Sequence, residues 1–147
     1  MDLRTHTGVV VAVLAAAITR PPPSVVPVVH RGVGPPDPYA AVPYCVVYSG
    51  LADTDGPSGS PDADVDAEVQ VTSIGDSEEQ ASWMADKVRA ALLDGAVPAP
   101  PTGRAWQRPR RPILHVLTRP VERDDDAGPG APLFHVATVY ALPTTPA

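Results

Sequence analysis

The chain has 147 residues, and its 20 Pro and 11 Gly make up close to a fifth of it, just under the roughly 25–30% at which composition alone signals a low-complexity chain. A net charge of −6 and a pI near 5.0 exclude a general nucleic-acid binder, which needs a basic field to displace counterions. The single cysteine, Cys45, excludes an internal disulfide and any cysteine-built zinc fold.

Proline avoids three windows, residues 1–20, 44–56 and 62–97, and regular structure is expected there, because Pro breaks helices and cannot donate in a central ladder. The first window holds Gly8–Ile18 (GVVVAVLAAAI), apolar, uncharged and shorter than the ~18–20 residues that span a bilayer. A short buried helix stopped by Pro21, Pro22 and Pro23 is the expectation. The rival is a signal peptide with Arg4 before the apolar run and Ala15–Ala17 as its cleavage site. Ser24–Gly34 reads as a short edge strand interrupted by Pro27.

Tyr44–Ser49 (YCVVYS) is a better strand, with Tyr44, Val46 and Tyr48 on one face and Cys45 and Val47 on the other. Gly50–Pro61, rich in Gly, Ser, Asp and Pro, reads as a loop. Beyond it Val65, Ala67, Val69 and Val71 alternate with Asp66, Glu68, Gln70 and Thr72. That period of two predicts a strand with one core face and one wet, acidic face, antiparallel to Tyr44–Ser49.

Ser77 and Gln80 form a capping box, and Glu78 and Glu79 sit where the helix dipole favours them. Ala81, Met84, Ala85, Val88 and Leu92 then make one apolar stripe, so a helix is expected up to Gly95, its C-terminal stop. Trp83 lies off the stripe. A Pro-rich link, Pro98–Gly103, precedes a second hairpin of Ile113–Thr118 and Leu133–Leu142 across the polar loop Glu122–Gly130. The tail Pro143–Ala147 is expected to fray, and Pro21–Pro38 and residues 50–64 to be flexible. The sum is one α+β domain: a small antiparallel or mixed sheet of four or five strands, in two hairpins, packed against two helices.

Catalysis finds no foothold in this sequence. His115 and His135 sit on opposed strands and could supply two metal ligands, but zinc needs a third and those strands contain no Asp, Glu or Cys. There is no G-x-S-x-G elbow and no Gly-rich phosphate cradle. Cys45 lies among apolar residues, where a thiol is an inert core atom. Asp124–Asp126 reads as solvated. The expectation is a protein that is no enzyme and uses no metal or cofactor.

Charge is segregated along the chain. Residues 53–86 hold ten acids (Asp53, Asp55, Asp62, Asp64, Asp66, Glu68, Asp76, Glu78, Glu79 and Asp86) and no base, whereas residues 104–123 hold six Arg against Glu122 alone. Two solvated faces would account for this. So would complementary patches meeting between copies, as head-to-tail contacts in a ring require.

Three blocks, PYCVVYSG (Pro43–Gly50), VQVTSIGDSEEQASWMADKVRAALLDG (Val69–Gly95) and RRPILHVLTRPVERDDDAGPGAPLFHVATVYAL (Arg110–Leu142), resemble the tail terminator, or tail-completion, proteins of long-tailed bacteriophages. They span roughly half the chain with matching order and spacing. The N-terminal third departs from the pattern in its Pro content. The resemblance implies a small α+β subunit that caps the finished tail tube as a hexameric ring and meets the head–tail connector. Partners would be copies of itself, the tail tube protein and the connector, with DNA passing through the lumen unbound, in a virion built in the host cytoplasm. On that reading Arg108, Arg110, Arg111, Asp124, Asp125 and Asp126 are candidates for subunit contacts. Asp53, Asp55, Asp62, Asp64, Asp66 and Glu68 are candidates for the lumen wall. The alternatives are another neck or head-completion subunit, or a small secreted binding domain with residues 1–17 as signal peptide.

Overall fold

The computed structural model describes residues 3–21, 24, 26–55, 64–126, 128 and 130–147. Its elements in chain order are α1 (Leu3–Ala17), β1 (Val29–Arg31), α2 (Pro38–Ala41), β2 (Tyr44–Asp55), β3 (Asp64–Gly75), α3 (Glu78–Leu93), β4 (Arg104–Trp106), β5 (Leu114–Thr118), β6 (Glu122–Asp124) and β7 (Leu133–Pro146). The fold is α+β, as expected, but the described sheet has seven strands and three helices accompany it.

The sheet is built around two long antiparallel ladders. β2 pairs with β3 and β3 with β7, while β1 adds a short parallel strand outside β2 over Cys45–Val47. The far edge of β7 is covered in three pieces: β6 beside Leu133–His135, β5 beside Thr138–Ala141 and β4 beside Thr144–Pro146. β1 is short because Pro27 precedes it and Gly32 (φ 73°) turns the chain away after it.

One face of this sheet carries the core. The alternation in β3 places Val65, Ala67, Val69 and Val71 inward, all at 0–1% exposure, as the period of two predicts. Val69 and Val71 share one core cluster with Cys45 and Val47 of β2, Tyr140 and Leu142 of β7, and the apolar sides of α1 (Val10, Leu14) and α3 (Met84, Val88, Leu92). Each buried Val, Leu or Met side chain among them contributes about 1.5–3 kcal/mol. The apolar run Gly8–Ile18 is thus a packed helix as far as Ala17, begun five residues earlier, at Leu3. α3 begins as its cap predicts: Ser77 Oγ accepts from Gln80 N at 3.1 Å. The return bond goes one residue further out, from Asp76 N to Gln80 Oε1 at 2.7 Å.

Several expectations are corrected. Gly50–Asp55 is strand, extending β2 through a bulge between Ser49 and Ala52. Gly50 makes this possible, since a Cβ there would stand 2.6 Å from the Glu68 carbonyl oxygen; the rest of that expected loop, 56–63, lies outside the described residues. The tail does not fray, because Pro143–Pro146 continues β7 between β3 and β4. Pro143 lacks an N–H, but its carbonyl accepts from Gln107 N at 3.2 Å, and Thr144 is fully buried. Part of the expected Glu122–Gly130 loop is β6, and β4 follows the Pro-rich link directly. Gly95 does not stop α3 by a left-handed turn. Asp94 is the C-cap, and a Cβ on Gly95 would meet the Ala91 carbonyl oxygen at 2.6 Å.

Candidate functional site

The second face of the sheet has no long helix over it, and its ladder registers set out graded rows. Tyr44, Ile74, His135 and Glu122 form the first row and Val46, Thr72 and Ala137 the next, followed by Tyr48, Gln70 and Val139. Beyond them lie Glu68 with Ala141, then Asp66 with Pro143. The face therefore runs from aromatic and apolar at one end to acidic at the other.

The aromatic end is partly closed. α2 starts on Asp37, whose carboxylate accepts from Ala40 N at 3.3 Å, and with Tyr39 and Val42 it packs Ala41 against Tyr44, Val46, Ile74 and Leu133. Arg20 donates to the carbonyls of Ala41 and Pro43, tying this segment to the end of α1. His30 meets Tyr44 edge-on, with ring centroids 5.6 Å apart. Burial raises the Tyr44 phenol above its ordinary range, and Tyr48 and Asp124 push it further. Beside this cluster opens a cavity of about 470 Å³, whose polar lining includes Tyr48, Gln70, Thr72, Arg119, Glu122 and His135.

His135 and His115 do not come together. His135 points to the bare face and bonds Glu122 at 3.0 Å, whereas His115 stands opposite Tyr140 on the helix-covered face, bonds Thr118 at 2.7 Å and meets the Tyr140 ring edge-on. Among the described residues no three His, Cys, Asp or Glu are grouped to hold a metal. Burial pushes the Cys45 thiol up to about 12 and leaves it a core atom.

The acidic candidates gather at one end of β2 and β3. Asp53 stands opposite Asp66 and Asp55 opposite Asp64 in the ladder, a like-charge arrangement that disfavours an isolated hairpin. Asp66 is exposed and Glu68 half-buried; Asp62 lies outside the described residues. Arg108, Arg110 and Arg111 are exposed in the turn between β4 and β5. Arg108 and Gln107 line a depression of about 360 Å³ together with Asp64 and Asp66.

Asp124, Asp125 and Asp126 lie elsewhere. Asp124 accepts from Asp126 N at 3.0 Å and Asp125 pairs with Arg123 at 2.6 Å, both at the surface. Asp124 is opposite Leu133, and the Arg turn follows Trp106, opposite Thr144. At about 3.3 Å per residue the two groups of candidate contacts are roughly 35 Å apart along β7.

Sequence reasoning missed a buried polar cluster. His6 of α1 is fully buried and bonds the Thr144 hydroxyl at 2.9 Å. The same hydroxyl accepts from Arg104 Nε at 3.2 Å, and the Thr144 carbonyl accepts from Arg104 at 3.0 Å and from Gln107 at 3.2 Å. Thr7 joins α1 to Ser49 through their hydroxyls at 2.7 Å. The period of two that runs through Val136, Thr138, Tyr140 and Leu142 points at Thr144, and carrying it past Pro143 would have found this site.

No protein-family profile and no curated protein matches the chain. Among solved structures, one described as the virion of a native gene transfer agent particle is similar to it at 19% identity and a TM-score of 0.47, covering 93% of this chain and 84% of that one. No described helix is long and apolar enough to cross a membrane.

Proposed function

We propose that the chain is a virion structural protein of the tail-terminator kind, a subunit whose copies form a ring on the end of the tail tube. The ring ends tube growth and presents its other surface to the head–tail connector. The observation that carries this reading is the coincidence of the three resembling blocks with the scaffold: they supply most of β2 and β3, and α3, β5, β6 and most of β7. That scaffold keeps its two long helices, α1 and α3, on one side of the sheet and leaves an acid-ended face on the other.

Six copies is the stoichiometry that the resemblance implies. In such a ring Asp53, Asp55, Asp64, Asp66 and Glu68, with Asp62, line the channel, where like charge keeps DNA from sticking. Arg108, Arg110, Arg111, Asp124, Asp125 and Asp126 face neighbouring copies or the two flanking partners. The role is assembly without chemistry and without a cofactor, in the virion and during its construction in the host cytoplasm.

The experiment is electron microscopy of particles produced without this protein. Tails of irregular, excessive length that fail to join heads are the expected result. Tails of normal length joined to heads refute the reading. A ring structure with Asp66 and Glu68 on its outer wall refutes the lumen assignment separately.

A further inference from the structure

The sheet ends in two edges of different character. On one side β1 covers β2 over Cys45–Val47, with Gly32 N adding one bond to the Val47 carbonyl, and no described strand pairs with the outer edge of β2 from Ser49 to Asp55. On the other side no described strand pairs with the outer edge of β5. Exposed edges of this kind template pairing with another chain.

β5 is also apolar at its edge: Val116 is 44% and Leu117 41% exposed, the latter on the bare face with Val139. Exposed Arg110, Arg111 and Arg119 flank it. The β2 edge has the opposite charge. Asp53 and Asp55 lie on this segment and Asp64, Asp66 and Glu68 on β3 behind it, while Arg31 of β1 stands at its Ser49 end.

We infer that β5 of one copy pairs with the Ser49–Asp55 segment of β2 in the next, so that the ring is closed by a sheet continuous across subunits. This rests on the ring reading and specifies its contact. Strand directions agree with it. β7 runs parallel to β2 through their shared neighbour β3, and β5 is antiparallel to β7, so β5 is antiparallel to β2. A rotation about an axis along the strands preserves direction, so β5 meets the next β2 as an antiparallel neighbour, the stronger ladder. Lengths agree as well: five residues of β5 fit the seven from Ser49 to Asp55. The contact is heterologous and closes only as a ring. It places α1 and α3 on one side of the wall and the bare face on the other.

Cysteine cross-linking of the full chain tests this. Leu117→Cys is combined in turn with Leu51→Cys, Ala52→Cys, Asp53→Cys and Thr54→Cys. Each double variant is oxidised at high concentration and with isolated tail tubes, while native mass spectrometry and electron microscopy follow assembly. Buried Cys45 stays silent, and circular dichroism checks that each variant folds. The expected result is a covalent ladder up to the closed ring, strong at alternate β2 positions and weak between them. That alternation follows because adjacent strands bring same-face Cβ atoms within about 4.5–5.5 Å. Rings without a ladder, or a ladder equal at all four positions, overturn the strand pairing and leave the ring standing. A dimer from Leu117→Cys alone overturns it in favour of β5 pairing with itself. Absence of any assembly, with or without tubes, overturns both.

Discussion

Replacing Thr144 with Val removes one hydroxyl and keeps nearly the same shape. In the wild type that hydroxyl is fully buried, bonds His6 at 2.9 Å and accepts from Arg104 Nε at 3.2 Å. Losing the neutral bond costs about 1 kcal/mol and losing the bond to a charged group about 1.5–3 kcal/mol, because the former partners stay buried without water. Arg104 keeps its bond to the Thr144 carbonyl, so Thr144→Val is expected to cost about 2–4 kcal/mol in all. Thr144→Ser keeps the hydroxyl and gives up one methyl, worth about 0.8 kcal/mol. Urea unfolding followed by tryptophan fluorescence measures both. With an m-value of about 2 kcal/mol/M, Val lowers the midpoint by about 1–2 M and Ser by less than half of that. If Val proves as stable as Ser, packing alone holds α1 to the end of β7 and the polar cluster contributes nothing.

Burial first, and then the Arg104 charge, lower the His6 pKa below its ordinary 6.5. The unfolded chain therefore takes up that proton at higher pH than the folded one, and this contribution to stability is complete above about pH 6.5 and lost as pH falls toward the folded value. His6→Gln is expected to flatten the dependence, read as urea midpoints between pH 7.5 and 5. Trp106 is 8% exposed and donates to the Pro98 carbonyl at 2.8 Å, so Trp106→Ala should cost about 3–5 kcal/mol. Trp83 is half exposed beneath Lys87, 5.3 Å from its ring, and Trp83→Ala should cost at most about 1 kcal/mol; equal losses for the two would refute the placement of α3. The Tyr140 hydroxyl is buried with no hydrogen-bond partner among the described residues, and burial moves its pKa to about 12. Tyr140→Phe should leave stability unchanged or raise it by up to about 1–2 kcal/mol, and it removes a tyrosine that titrates near pH 12 in an ultraviolet pH titration.

The elements legible in the chain are those whose determinants are local. β3 declares itself because every second residue is apolar from Val65 to Val71, and α3 because Ser77 and Gln80 close its first turn before a stripe of Ala81, Met84, Val88 and Leu92. The acid-ended face was legible for the same reason, since a period of two assigns Asp66 and Glu68 to the side opposite the valines. What tertiary structure alone decided are the features whose partners are distant in sequence. Gly50–Asp55 and Pro143–Pro146 have the composition of loop and tail, yet both are strands, because β3, joined by β4 for the tail, offers each a ladder whose hydrogen bonds and burial outweigh weak local propensity. The polar cluster is invisible until α1 crosses β7: His6 and Thr144 are 138 positions apart, and neither is remarkable until both are buried. Likewise only the fold brings Arg108, in the β4–β5 turn, into one depression with Asp64 and Asp66, more than 40 positions away in sequence. Local periodicity determined which residues face the core; the pairing of distant strands decided where the sheet ends, and with that which edges and charges are left for a partner.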